Sequence, residues 1–356
     1  MRIIKSAERF AKKILSFVLR MFIKQELVST DKIDSSKQNK VLIIRQDRRI
    51  GNLILTTPLI RKSKRTFPNA RIDVLISNSG KPLYDDDPDI NKLYTFDHKG
   101  FIKNPLKFLK LISTLRKNHY PIVIESSNPA GASFLNGFLA YLTKSPVRIG
   151  FAGGSGAIFT NVHISPNRMQ HYYIIQQELV SFLSADKNFF KPQIFSAADE
   201  IKGMRKLLSK NFNFGEKNKI IGIWIGARGK KKWDIENFKR LFERIKSDTE
   251  FIPILTFGIE EVDDYNVIDF NTYNAFRITD LKKLKSFIAA CDIFVCGDTG
   301  PLHFSFALGT PTIGVFLEDN YVRYGYTDGE KNYIIKPAED HKMIDEIISN
   351  IKNILH

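Results

Sequence analysis

A short apolar strand, a loop and an amphipathic helix succeed one another from residue 41 onward, and after a polar interval the same succession begins again. Val41-Leu-Ile-Ile-Arg45 is an apolar run typical of a strand covered on both faces. After a glycine loop, Leu53 to Arg65 is predicted as a helix, Arg71 to Ile76 as a strand, Pro105 to Lys117 as a helix and Pro121 to Glu125 as a strand. The second succession runs through strand Ile220–Ile225, helix Ile235–Lys246, strand Phe251–Phe257, helix Leu281–Ala290, strand Ile293–Cys296, helix Leu302–Leu308 and strand Thr312–Phe316. Alternation of this kind builds a parallel sheet with helices on both faces. Two doubly wound α/β domains are therefore expected, at 41–185 and 219–338, with an interdomain segment at 186–218 and a C-terminal helix at 339–356. The chain's 356 residues are enough for two domains that each bury a core.

Ligands of such sheets gather at the carboxyl ends of the strands, so chemistry is sought in the loops beyond them. Val295-Cys-Gly-Asp-Thr-Gly-Pro-Leu-His303 leaves a strand, turns on Gly297 and Gly300, and enters a helix with Pro301 in its first turn, while Gly309 closes that helix. The unpaired first-turn amides at the positive end of the dipole make an anion site. Asp298 is suited to cap those amides or hold the nucleotide end, and Thr299 to meet a phosphate oxygen. In the same domain Gly226-Ala-Arg-Gly-Lys-Lys-Lys-Trp233 comes after a strand, and Asp234 opens the next helix. Arg228 or a lysine here can neutralise a leaving diphosphate without a metal. Together the two loops read as a phosphate clamp.

The formal charge of +16 is unevenly placed. Residues 1–40 carry 10 Lys/Arg against 4 Asp/Glu, residues 41–185 carry 19 against 9, and the remainder carries 25 against 25. A confined basic excess concentrates an anionic partner over one part of the molecule. Within residues 1–24, apolar side chains from Ile3 to Phe22 recur at helical spacing opposite Arg2, Lys5, Arg9, Lys12, Lys13, Arg20 and Lys24. The longest apolar run there, Ile14 to Leu19, is too short to span a bilayer or serve as a secretory signal. A helix lying in an anionic membrane surface is expected, or one packed on the protein's own body. Ser29 to Lys40 reads as a linker. Cys291 and Cys296, five apart, match neither a metal-ligand nor a disulfide pattern, which suits a reducing cytoplasm.

Several stretches taken in order, Arg45-Gln-Asp-Arg-Arg-Ile-Gly51-Asn52 with Thr56, Thr57 and Pro58, then Arg148-Ile-Gly150-Phe151, His171, Lys231-Lys-Trp233, Gly258 with Glu260 and Glu261, and Asp298-Thr-Gly300 with His303, resemble glycosyltransferase family 9, the heptosyltransferases of the lipopolysaccharide inner core. The resemblance implies an α/β fold of GT-B type, with two Rossmann-like doubly wound parallel-sheet domains facing a central cleft. It implies an inverting, metal-independent glycosyltransferase with no cofactor, whose donor is a nucleotide-diphospho-sugar, usually ADP-heptose. The acceptor would be a lipid-linked glycan held by the N-terminal domain; the confined basic charge and the N-terminal helix add the expectation that it is acidic and that the enzyme is a cytoplasmic monomer, peripheral on the inner face of the membrane. By the same resemblance Lys231 neutralises the diphosphate, which Asp298, Thr299 and Gly300 contact. Glu260 or Glu261 holds the ribose, and His303 faces the site or braces its helix.

Displacement at an anomeric carbon needs a base for the acceptor hydroxyl. The family has an Asp after the loop glycine, and this chain has Asn52 after Gly51. An amide can orient a hydroxyl but cannot take its proton. Asp47, five residues earlier, and Glu125, at the carboxyl end of a strand and expected to face the cleft, are the substitutes. Asp47 equally suits an ion pair with Arg45 or Arg48. Gly51, Arg48, Arg61 and Lys64 are the acceptor-side candidates, and Gly153-Gly-Ser-Gly156 is read as a flexible acceptor loop.

Other functions are open to a chain of this kind. A catalytically silent protein that binds a sugar nucleotide or glycan would result from the loss of the base at Asn52. An oxidoreductase is disfavoured because no G-x-G-x-x-G lies after the first strand of either domain. Nucleic-acid binding is disfavoured because the basic half carries no recognisable binding motif.

Overall fold

The computed structural model describes residues 23, 26–97, 104–128, 132–167, 169–227, 229–258, 269 and 272–355. The amphipathic helix expected over residues 1–24 falls outside them but for Ile23. Among the described residues no helix is long and apolar enough to cross a membrane. The chain divides into two compact units, Met1–Lys191 and Pro192–His356.

In the first unit the elements run β1 (Lys40–Arg45), α1 (Ile50–Ile54), α2 (Thr57–Thr66), β2 (Arg71–Ile76), α3 (Lys81–Tyr84), β3 (Lys92–Thr95), α4 (Pro105–Lys117), β4 (Ile122–Glu125), α5 (Phe134–Leu142), β5 (Val147–Phe151), β6 (Val162–Ile164) and α6 (Tyr172–Ser181). The strands lie in the order β3-β2-β1-β4-β5-β6, each parallel to its neighbours. Central strands β1 and β4 are buried almost throughout, which explains why both read as unbroken apolar runs. On one face Leu42, Ile44 and Val123 pack under Phe108, Ile112 and Leu115 of α4 and Leu139 and Ala140 of α5.

Where a single helix is expected over Leu53–Arg65, the structure has two, broken at Leu55 and Thr56. Pro58 is the cause: it offers no N–H to the carbonyl of Ile54, and its ring crowds that carbonyl. The Thr57 hydroxyl bonds Ile54 O instead, at 2.8 Å.

The second unit begins with α7 (Ala198–Phe212), followed by β7 (Ile220–Trp224), α8 (Ile235–Asp248), β8 (Ile252–Phe257), β9 (Ala275–Arg277), α9 (Leu281–Ala290), β10 (Ile293–Gly297), α10 (Gly300–Leu308), β11 (Thr312–Val315), α11 (Tyr321–Tyr324), β12 (Asn332–Ile335) and α12 (Asp340–Leu355). Its strand order, β12-β11-β10-β7-β8-β9, repeats that of the first unit. Helix α8 starts because the Asp234 carboxylate caps the Glu236 amide at 2.9 Å. It buries Phe238, Leu241, Phe242 and Ile245 against the sheet and against α12. Gly222 of β7 allows α9 to seat closely: a Cβ there would stand 2.7 Å from the sulfur of Cys291 and 2.9 Å from Phe287 and Phe294. Cys291 and Cys296 are both free and buried.

Both units are Rossmann-like doubly wound sheets. In each, the chain builds outward from its first strand, then returns to lay its fourth strand on the other side. The loops after β1 and β4, and after β7 and β10, therefore diverge at topological switch points, where a parallel sheet opens a crevice at its carboxyl edge.

Candidate active site

The switch point of the first unit is organised by Arg45, the last residue of β1 and 1% exposed. Its guanidinium donates to Ser126 O beyond β4 at 2.5 Å and to Asp47 Oδ2 at 2.9 Å. That Asp47 oxygen also accepts the side-chain amide of Asn52 at 2.8 Å, while Oδ1 accepts the Arg49 backbone N–H at 2.9 Å. The Ser77 hydroxyl, just past β2, donates to Asp47 O at 2.5 Å. Two sequence candidates thus meet directly, with the Asp47 side chain still 23% exposed. The carboxylate is therefore open to an incoming polar group.

Glu125 behaves differently. Expected to face the cleft from the strand end, it is fully buried, paired through register with Ile44 on one side and Gly150 on the other. Gly150 makes the room: a Cβ there would lie 3.3 Å from Glu125 Oε2 and 2.9 Å from Thr160. The Ser127 hydroxyl donates to Oε1, whereas Oε2 has no hydrogen-bond partner among the described residues. Burial pushes the carboxyl up to about 7, against the opposing pull of Ser127 and the Arg45 charge. A side chain so enclosed does not meet an acceptor. Its network instead reaches the Asp47 loop: Asn136 donates to Ser127 Oγ at 3.0 Å and accepts the Gln46 N–H at 2.9 Å.

Of the acceptor-side cations, Arg48 is exposed beside Asp47, and Gly51 lies in the first turn of α1. Arg61 is drawn away, buried between Asp87 at 2.8 Å and Asp89 at 3.2 Å. Lys64 lies near the C-terminal end of α2 and donates to Ala70 O, just before β2, which places it at the opposite edge of the sheet from the loops. Neither feature shows in the spacing of α2, because helical periodicity says nothing about aspartates 26 and 28 residues away. Of the 153–156 loop, Gly153 and Gly154 are exposed, whereas its end is packed: Gly156 N donates to Ala132 O, and a Cβ at Gly156 would collide with Ser133 O.

In the second unit the loop after β7 brings Lys231 onto the Asp298 carboxylate, next to the start of α10. Asn320 donates to the same Asp298 oxygen at 2.5 Å, and the Tyr324 ring lies 5.9 Å from the Lys231 ammonium. Trp233 anchors the loop from below, buried against Phe238 with its indole N–H on Asp340 at 2.8 Å. Thr299 is the extended N-cap residue of α10 and makes no side-chain cap; its hydroxyl turns to Gly297 O at 3.3 Å. With Asp298 committed to Lys231, no side chain caps α10, so the positive end of its dipole is left without a capping carboxylate. Gly309 closes the helix at φ 78°, a conformation glycine adopts without strain.

His303 braces this helix from beneath. It is buried, its Nδ1 lies 2.8 Å from the Tyr326 hydroxyl, and Tyr326 stacks on Phe306. Burial, helped by the Lys231 charge, pushes its pKa down to about 3, so the imidazole is neutral. Arg228, Glu260 and Glu261 lie outside the described residues. Asn320, Tyr324 and Tyr326 have no motif in the sequence to mark them; the available signal is their place after β11, the strand beside β10. Among the described residues no group of three or more His, Cys, Asp or Glu is arranged to hold a metal ion.

Comparison with known proteins agrees with this layout. The model of glycosyltransferase family 9 (heptosyltransferase) matches residues 108–347. Lipopolysaccharide heptosyltransferase 3 of Escherichia coli K12 is 27% identical over 286 residues, covering 76% of this chain and 81% of that protein. Among solved structures, a family 9 glycosyl transferase from Veillonella parvula superposes with a TM-score of 0.73 at 17% identity, covering 91% of this chain and 92% of the other. The E. coli ADP-heptose lps heptosyltransferase II does so with a TM-score of 0.69, also at 17% identity, over 89% of this chain and all of the other. At these identities the superpositions speak for the fold.

Proposed function

Because the chain belongs to glycosyltransferase family 9 and is a glycosyltransferase, we propose that it transfers heptose from ADP-heptose to a lipopolysaccharide core or related lipid-linked acceptor, with inversion and without a metal. The observation that carries this reading is the Lys231–Asp298 pair at the N-terminus of α10, a cation beside a helix start that no side chain caps, at the positive end of its dipole, where a diphosphate would leave. Lys231, joined by Arg228, neutralises the departing charge; Thr299 and Gly300 meet its oxygens, and Glu260 or Glu261 holds the ribose. His303 supports the helix and does not touch the donor.

On the acceptor side Asp47 is the base. Arg45 and Asn52 hold Oδ2 and the Arg49 N–H holds Oδ1, and the part of the side chain still exposed is left for the incoming hydroxyl. Asn52 is a positioning residue, as is Glu125, and Arg48 meets acceptor anions next to Gly51. The enzyme works as a monomer at the inner face of the cytoplasmic membrane, drawn there by its basic first half. A silent binding protein is the second reading, and the presence of Asp47 five residues from Asn52 disfavours it.

A panel of nucleotide sugars offered with membrane-extracted, truncated lipopolysaccharide tests the proposal. Transfer is expected from ADP-heptose and not from UDP-sugars. Absence of nucleotide-diphosphate binding by calorimetry overturns it, whereas binding without transfer favours the silent protein.

A further inference from the structure

Helix α4 faces outward in an unusual way. Its inner side, Phe108, Ile112 and Leu115, belongs to the core. On its outer side Leu106 is 77% exposed and Leu109 60%, large apolar side chains one turn apart. Lys107 and Lys110 are exposed beside them, Arg116 and Lys117 lie further along, and the helix contains no acidic residue. Lys107 and Lys110 make no ion pair among the described residues. A single exposed leucine is ordinary; a leucine pair interleaved with lysines on one helical face is the pattern of an interfacial helix.

The placement of that face matters as much as its composition. Lys40, the first residue of β1, donates to Asn118 O at 3.0 Å, so the C-terminal end of α4 lies at the amino edge of the sheet. At the other end Phe108 packs on Phe96, just past β3, with ring centroids 5.2 Å apart. Leu106, Lys107, Leu109 and Lys110 therefore occupy the carboxyl edge, where the Asp47–Asn52 loop lies.

We propose that this face of α4 docks on an anionic lipid surface, with Leu106 and Leu109 entering the interface and Lys107 and Lys110 meeting headgroup phosphates. This rests on the reading of a lipid-linked acceptor, since it sets the acceptor edge of the sheet toward the bilayer. Charge selects the occupant. A second copy would bring the same basic face, and the chain's own residues 1–24 carry seven Lys/Arg against one acidic residue, so both are repelled where an anionic surface is attracted.

The test is flotation of the full chain with vesicles of phosphatidylglycerol in phosphatidylcholine, and with phosphatidylcholine alone. Binding is expected to the mixed vesicles only. The variants Leu106→Ser/Leu109→Ser and Lys107→Glu/Lys110→Glu are each expected to lower the partition coefficient by about tenfold or more. ADP binding by calorimetry and transfer to a soluble, de-acylated acceptor should be unchanged in both, because none of the four residues is in the donor or base machinery. Failure of the wild type to float, undiminished flotation of both variants, or a wild-type dimer that either variant dissociates overturns the proposal. Loss of transfer to the soluble acceptor in the wild type would instead count against the enzymatic reading, so the two failures are distinguishable.

Discussion

Asn52 gives its side-chain N–H to the same Asp47 oxygen that Arg45 grips, at 2.8 and 2.9 Å. The amide thus serves the carboxylate as a donor. Asp47→Asn is expected to lower kcat by roughly 10²- to 10⁴-fold with donor affinity unchanged, the range for loss of a general base. Asn52→Ala is expected to cost only about tenfold, since Arg45 and the Arg49 amide still hold the carboxylate. Steady-state kinetics of the two variants decide; equal losses would deny Asp47 its special role.

Lys231 and Asp298 form a pair whose members are unequally buried, the lysine side chain 35% exposed and the aspartate 6%. The ammonium is therefore available to a ligand. Lys231→Ala should weaken ADP binding by about 10- to 100-fold, the worth of a charge-assisted contact. Isothermal calorimetry measures it, and an unchanged affinity would remove Lys231 from the donor site.

Glu125 makes stability depend on pH. With its carboxyl raised to about 7 from an ordinary 4.5, the folded chain retains a proton that the unfolded chain releases. The contribution is complete below pH 4.5 and is lost as the pH rises through about 7. Glu125→Gln, neutral throughout, should lack this decline between pH 5 and 8. Denaturant melts across that window provide the comparison, and parallel slopes for the two proteins would contradict it.

His303 acts in the opposite direction. Its pKa falls to about 3 from an ordinary 6.5, so below 6.5 the unfolded chain takes up a proton that the fold refuses. Stability from this residue is complete above pH 6.5 and is lost as the pH drops toward about 3. His303→Gln should flatten that acid limb in thermal melts, at the expense of the bond to Tyr326; an acid limb as steep as in the wild type would argue that other groups set it.

Gly150→Ala would set a methyl 2.9 Å from Thr160 and 3.3 Å from Glu125 Oε2, on a strand that is paired on both sides and cannot shift freely. Overpacking of this kind costs about 1–3 kcal/mol. Scanning calorimetry should show a lowered Tm, and a wild-type Tm would mean that the Thr160 side chain turns away without cost.

The two doubly wound units and their carboxyl-edge loops were legible from residue order alone, because strands such as Val41–Arg45 and Ile293–Cys296 are apolar on both faces and glycine and proline punctuate the loops at their ends. The turn from β10 into α10 was legible for the same reason: Gly300, Pro301 and Gly309 are local signals that bound one helix. The order of residues could not convey which distant groups meet. Arg61 looks like Arg48 in sequence, yet Asp87 and Asp89 capture it, and Glu125 ends a strand like any exposed strand-end carboxylate until Gly150 encloses it. Asn320 meets Asp298, and Tyr324 meets Lys231, only through the adjacency of β10 and β11. Periodicity is a property of neighbours along the chain and survives in the sequence, whereas burial, pairing and the accessibility of Asp47 arise from contacts dozens of residues apart and exist only once the sheets are assembled.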